Sequence, residues 1–276
     1  MELTEEWVKE KLPKRPKDAN KGTFGKVLMV AGSEKYPGAA YLVSAACYRV
    51  GVGLVTLATD KETKIIVSRK LPEVTFLERG QILDELNSYD VLLVGSGLGQ
   101  SDDVVGLINQ LIGKQLPPTL IDGDGLNILS KIDEWWKKIH AKVVLTPHPG
   151  EMARLTGLSV GGIQKDRINI TQSFADKWGQ VIVLKGANTV IAKSMGEEVL
   201  VSPFANPLLA TAGTGDVLSG IIAGLMAQGL DPFDAAGAGV YVHGLAGEMM
   251  RRKIGEAGLL ASDLLLQTPL VLRKLS

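Results

Sequence analysis

Short runs of Val, Ile and Leu that end in glycine or proline recur along the sequence, and this alternation limits the fold more than any other feature. The runs are KVLMVAG at 26–32, LVTLAT at 54–59, EVTFL at 73–77, DVLLVGSG at 90–97, PTLIDGDG at 118–125, KVVLTPHPG at 142–150 and QVIVLKGAN at 180–188. Between them lie helical patterns, at 38–52 and then at roughly 61–70, 79–88, 102–114, 124–130, 150–156 and 162–178. Apolar strands alternating with helices predict βαβ units, hence an α/β fold with a mostly parallel central sheet and helices on both faces.

The last third changes character. TVIAKSMGEEVLVS (189–202) predicts two short strands around a turn at Gly196, an antiparallel addition to the sheet edge. Gly213–Gly229 and Pro232–Lys253 predict two long helices rich in small residues, and Ala261–Leu275 a final one. Residues 1–20 are a charged lead-in with a helix of one or two turns that stops at Pro13. No Ser/Pro-rich linker or tandem repeat divides the chain, so a single domain over 1–276 is expected.

Composition narrows the function. Thirty basic residues balance thirty acidic ones, which argues against a broad nucleic-acid footprint. The single Cys47 forms neither an internal disulfide nor a cysteine zinc cage, and its apolar surroundings read as core. No apolar run reaches the ~20 residues of a membrane helix, and the N-terminus lacks a signal-peptide apolar region. A cytoplasmic protein with no membrane partner is expected. Glycine, at 32 of 276 residues, is in modest excess, so where the glycines fall matters.

Many fall where strands end: AGSEKYPGAA, GSGLGQSDD, DGDGLN, TPHPGE and KGANT. In an open parallel sheet ligands bind outside the carboxyl ends of the strands, so these segments should share one rim. The sharpest segment is NPLLATAGTGDVLSG (206–220), in which Ala212, Gly213, Thr214 and Gly215 lead into a helix. Free amides at a helix start make an anion site, and phosphate is its natural occupant. Asp216 stands beside that anion. It reads as a helix-capping Asp, or as a carboxylate that takes a proton from a reacting hydroxyl or shares a cation with the phosphate.

Other candidates stand on the same rim. Asp122 and Asp124 could hold Mg²⁺ through water, or form an Asx turn with Asp124 capping the next helix. His148, stiffened between two prolines, is a candidate substrate contact, and Glu151 opens the helix after it. Lys185 suits a nucleotide phosphate or is a solvated strand-end lysine. His243 reads as a packed helix residue and His140 as a surface one.

GTGD before a helix, after a strand ending in KG, resembles the ribokinase-like superfamily of phosphoryl-transfer enzymes. The fuller set KGTFGKVLMVAGS (21–33), YPGAA, GSGLG, DGDGLN, LTPHPGE, VLKGANT and AGTGDVLSG is similar to the NAD(P)H-hydrate dehydratase family, from Lys21 to the last helix. The resemblance implies a three-layer ribokinase-like fold and ADP- or ATP-dependent dehydration of the S-epimer of hydrated NADH or NADPH (NADHX, NADPHX). The hydroxyl of the nicotinamide ring would be phosphorylated and phosphate then eliminated. By the same resemblance Asp216 is the base. Lys185, Gly186, Ala187, Asn188, Thr189 and Gly215 contact the adenine nucleotide, and the amides of Ala212 to Gly215 stabilise the transferred phosphoryl group. Ala39 or Ala40, Gly97 and His148 line the hydrate pocket, and Glu151 organises Mg²⁺ through water. A homotetramer is implied as well, together with a separate epimerase or spontaneous epimerisation. Two departures are visible: Ser96 stands where the family's GPGLG loop has proline, and Gly123 where DADGLN has alanine. A small-molecule alcohol kinase of the hydroxyethylthiazole or hydroxymethylpyrimidine type is the alternative on the same fold. A nucleotide-binding module without turnover fits less well, because a pure phosphate binder gains nothing from a carboxylate beside its anion.

Overall fold

The computed structural model describes residues 1–195 and 198–276. Helix α1 (Glu5–Lys11) starts at Thr4, whose side chain accepts from the Trp7 amide. The chain then runs β1 (Lys26–Val30), α2 (Pro37–Val50), β2 (Leu54–Ala58), α3 (Lys61–Lys70), β3 (Thr75–Leu77), α4 (Ile82–Glu85), β4 (Val91–Val94), α5 (Asp102–Ile112) and β5 (Thr119–Ile121). It continues through α6 (Gly123–Leu129), β6 (Val143–Leu145), α7 (Pro149–Thr156), α8 (Val160–Lys165), α9 (Arg167–Trp178) and β7 (Val181–Leu184). The last third holds β8 (Val190–Ala192), β9 (Leu200–Val201), α10 (Thr214–Ala227), α11 (Pro232–Ile254) and α12 (Ala261–Leu275).

The described strands form one sheet in the order β3-β2-β1-β4-β5-β6-β7-β8-β9. All pairs from β3 across to β7 are parallel, while β8 runs antiparallel to β7 and β9. The predicted edge hairpin is therefore present as Val190 opposite Val201 and Ile191 opposite Leu200; the turn expected at Gly196 lies outside the described residues. The first residues add to this edge, with the Leu3 amide bonded to the Val201 carbonyl at 2.9 Å.

Alternation along each strand feeds two cores. Val27, Met29, Leu93 and Val183 pack with α2, α10, α11 and α12 on one face. Leu28, Val30, Leu92 and Leu184 pack with Ile108 of α5, Leu126 of α6, Met152 of α7 and Trp178 of α9 on the other. This is the three-layer arrangement that the resemblance implies. None of the described helices is long and apolar enough to cross a membrane.

Two helix expectations need correction. The segment 162–178 is two helices, because Asp166 leaves the helical backbone (φ −143°) and its carboxylate caps α9 through the Asn169 amide. The segment 79–88 is only one α turn, α4, between two 3₁₀ turns.

Sheet order locates the site. From β1 the chain builds outward through β2 and β3, then returns to the other side of β1 with β4. A crevice opens at the carboxyl ends of strands where the winding reverses in this way. The loops after β1 and β4 line it, joined there by the Gly32 amide bonded to the Ser96 carbonyl at 2.8 Å.

Candidate active site

Helix α10 delivers the anion loop. Gly213, at φ +89°, is its N-cap, a backbone angle that L side chains rarely adopt. The Thr214 hydroxyl is spent on the Leu209 and Thr211 carbonyls, at 2.8 and 2.9 Å, which ties the loop down. The Thr214 amide bonds to the Thr211 carbonyl at 3.3 Å. Of the amides expected to meet the phosphoryl group, that of Thr214 is thus already engaged. Gly215 belongs to the first turn, whose amides have no intrahelical partner.

Asp216 lies one residue further along. Burial pushes its carboxyl up to about 7, with Asp122 and Asp124 adding to the rise and the Ser96 hydroxyl and Lys185 opposing it. A carboxyl poised near neutrality can accept a proton and hold it briefly, as a general base requires.

Lys185, at the end of β7, comes to the same centre. Its Nζ lies 2.6 Å from Asp122 Oδ1 and 3.9 Å from Glu151 Oε2. A Cβ on Gly215 would sit 3.5 Å from that Nζ, so the ammonium stands beside the start of α10. Burial lowers the Lys185 pKa, but Asp122 and Glu151 more than offset it and the group stays charged.

The expectation that Asp122 holds a metal is corrected. Thr146 Oγ1 (2.8 Å) and Lys185 share its Oδ1, and Ser219 Oγ donates to Oδ2 at 2.9 Å. The ammonium occupies the place a cation would take. Asp124 does not cap α6 either, since Asp122 holds the N-cap position. Its carboxylate instead accepts from the Gly99 amide (2.8 Å) and Gln100 Nε2 (3.2 Å), bracing the loop after β4.

The TPHPGE segment forms a reciprocal cap on α7. His148 Nδ1 accepts from the Gly150 and Glu151 amides at 3.0 and 3.3 Å, while Glu151 Oε2 accepts from the His148 amide at 2.8 Å. His148 is therefore fixed as the tautomer with hydrogen on Nε2. Burial, Lys185 and Arg154 lower its pKa and keep it neutral. Burial raises Glu151 to about 7, opposed by Lys185.

Of the two alanines proposed for the hydrate pocket, Ala40 is fully buried in the core and cannot touch a substrate. Ala39 faces Gly97 across the crevice: a Cβ on Gly97 would fall 2.5 Å from the Ala39 Cβ.

Beside the lysine, a cavity of about 450 Å³ opens between the β7–β8 turn and α10 and α11. Lys185, Gly186, Ala187, Thr189, Thr214 and Gly215, each expected to contact the nucleotide, line it. Asn188 does not: its Nδ2 donates to the Ser202 carbonyl at 3.1 Å and holds the turn in shape. Ala212 and Gly213 are also absent from the wall.

Sequence reasoning missed the apolar walls, Phe204, Pro207, Leu209, Leu218 and Val240, and two polar residues, Asn206 and His243. Asn206 Nδ2 is buried without a protein partner, a donor available to a ligand. His243 bonds through Nε2 to the Thr214 carbonyl at 2.9 Å, and burial lowers its pKa to about 4. An uncharged imidazole must donate here, since a carbonyl can only accept. The signal for His243 was its position on α11 opposite the anion loop, which no local motif marks.

A carboxylate poised near pH 7, a fixed ammonium and a helix start with free amides stand together on the carboxyl rim of a parallel sheet, the arrangement of the ribokinase-like class. Within that class the chain belongs to the NAD(P)H-hydrate dehydratase family, whose pattern it matches over residues 27–269. It is 41% identical to the bifunctional NAD(P)H-hydrate repair enzyme of Moorella thermoacetica, covering 99% of this chain and 54% of that protein. It is 36% identical to the ADP-dependent (S)-NAD(P)H-hydrate dehydratase of Bacillus subtilis, covering 95% of this chain and 94% of that one. The crystal structure of the ADP/ATP-dependent NAD(P)H-hydrate dehydratase from Bacillus subtilis, co-crystallised with ATP/Mg²⁺, superposes with a TM-score of 0.90. That match is at 33% identity and covers 99% of this chain and 98% of that one. The chain spans about half the length of the bifunctional relatives it matches.

Proposed function

We propose that the protein dehydrates the S-epimer of NADHX or NADPHX at the expense of ADP, yielding NADH or NADPH, AMP and phosphate. The observation that carries this reading is the half-buried Asp216, poised near neutrality in the first turn of α10. Asp216 takes the proton from the ring hydroxyl, whose oxygen attacks the terminal phosphorus of ADP, and AMP leaves. Elimination then expels phosphate carrying that oxygen while the neighbouring ring carbon releases a proton to solvent, which restores the ring double bond.

Lys185 neutralises charge on the transferred group, and the Gly215 amide receives its oxygens. The cavity walls and the free Asn206 Nδ2 suit an adenine nucleotide, with Gly186, Ala187 and Thr189 beside its phosphates. Ala39, Gly97 and His148 face the hydrate. Mg²⁺ bound with a nucleotide needs few protein oxygens. This fits the described residues, which hold no cluster of three or more His, Cys, Asp or Glu able to cage a metal. Glu151 would hold the ion through water, and Mg²⁺ would supply charge neutralisation on the phosphates. A single domain over 1–276, a cytoplasmic location, a homotetramer and a functional link to an NAD(P)HX epimerase complete the proposal on family resemblance.

The test is recovery of NADH absorbance from NADHX with Mg²⁺ and ADP or ATP. Recovery with ADP is expected, and no recovery with either nucleotide overturns the proposal. A stable phosphorylated alcohol as product would mark a kinase instead. Light scattering is expected to give four times the protomer mass, and a monomer would remove the tetramer.

A further inference from the structure

One buried polar group in the crevice is left over by this chemistry. Ser96 follows β4 and is 1% exposed, yet its Oγ has no hydrogen-bond partner. A buried hydroxyl without a partner costs about 1–3 kcal/mol. The backbone around it is fixed: the Gly95 amide bonds to the Val30 carbonyl at 3.0 Å and the Ser96 carbonyl accepts from Gly32 at 2.8 Å. Ser96 thus sits rigidly in the switch-point crevice. The side chain it faces is Asp216, to which it makes no hydrogen bond in the free protein. Asp216 itself accepts no bond from any described protein donor within bonding distance. A carboxylate without a donor and a hydroxyl without an acceptor face each other where the substrate hydroxyl must enter.

We infer that Ser96 is a positioning residue for Asp216: once substrate fills the crevice, its hydroxyl donates to one carboxylate oxygen and leaves the other to take the substrate's proton. The inference rests on Asp216 being the base. Catalytic hydrogen bonds are often long in the free protein and tighten in the complex. The ionised form gains the bond and the protonated form does not, so Ser96 favours the working state of the base. The other charged groups around Asp216 are Asp122 at the end of β5, Asp124 on α6 and Lys185 at the end of β7; the carboxylates oppose its ionisation and the lysine favours it. Ser96 is the neutral donor among them. Ser96 neither takes the substrate's proton nor holds its phosphates, so removing its hydroxyl should shift the reaction rather than abolish it.

Ser96→Ala and Ser96→Pro both delete the hydroxyl. In both, the acid limb of kcat/KM is expected to move up by about one pH unit, the size of one hydrogen bond to a charged group. KM for NADHX and ADP should stay within a factor of about two, with the loss in kcat below the limb. A purely structural Ser96 would change thermal stability and leave the limb in place. The same comparison needs no turnover: the Asp216 carboxyl carbon can be titrated by ¹³C NMR, assigned by its absence in Asp216→Asn. An unmoved limb and an unmoved Asp216 titration in folded Ser96 variants overturn the inference. An Asp216→Asn protein that retains activity overturns the base assignment instead, and the two failures are distinct.

Discussion

At the scale of single residues, Asp216 combines a stability cost with a chemical use. Its carboxyl is raised to about 7 chiefly by burial, so stability falls as pH rises from the ordinary carboxylate range towards that value and is level above it. Asp216→Asn removes the ionisation. Turnover should fall roughly 10²–10⁴-fold while nucleotide binding, read by calorimetry, persists. The variant's Tm advantage over the parent should grow from pH 5 to pH 8 and level off above; an advantage that shrank with pH would contradict the burial. In the parent, kcat/KM should fall as pH drops through about 7. Because Glu151 is also raised to about 7, that limb belongs to the two carboxyls together. Asp122 makes the opposite case, since its partners are all internal. Asp122→Ala leaves the Lys185 ammonium without its nearest counter-charge, so a loss of about 3 kcal/mol in denaturant unfolding is expected together with lost activity.

At the scale of elements, α10 does two jobs. Its N-terminus presents Asp216 and the first-turn amides to the crevice, and its body packs on α2 closely enough that small residues are obligatory. A Cβ on Gly220 would fall 2.3 Å from the Val43 carbonyl oxygen. Helix propensity alone favours alanine over glycine by about 1 kcal/mol. The clash is with backbone, however, and forcing apart a packed helix pair costs about 1–3 kcal/mol or more. Gly220→Ala is therefore expected to destabilise, by about 1 kcal/mol or more net, and to lower kcat because the first turn of α10 moves with the helix. A more stable variant would show that α2 can yield. The small-residue helices were visible in the sequence as a separate population of glycines. Their partners were not, because a helix pattern states which face is apolar and not how near its neighbour comes.

At the scale of the whole molecule, the site exists because the sheet reverses its winding between β1 and β4 while α10, far along the chain, closes over that point. The N-terminal segment completes the far edge: Leu3 and Val8 are buried and Leu3 pairs with β9. Deleting residues 1–12 should lower stability by about 3 kcal/mol, judged from the burial of those two side chains. NADHX turnover at low temperature should be largely kept, since the edge lies away from the crevice. Loss of turnover with stability unchanged would mean that the segment reaches the site.

The sequence alone determined the strands, their parallel sense, the rim and the anion loop, because each is written in local patterns: apolar runs, turn glycines and a helix start. It also supplied Asp216, since GTGD is contiguous. Only the tertiary structure decided that Lys185 pairs with Asp122, that Asp122 is thereby closed to a metal, that Asp124 braces a loop and that Ala40 is core. It likewise decided that His243 and Asn206 wall the cavity beside Lys185. These are contacts between residues tens of positions apart. A side chain's role at such a contact is set by which donors and charges reach it in space, and local periodicity carries no record of that.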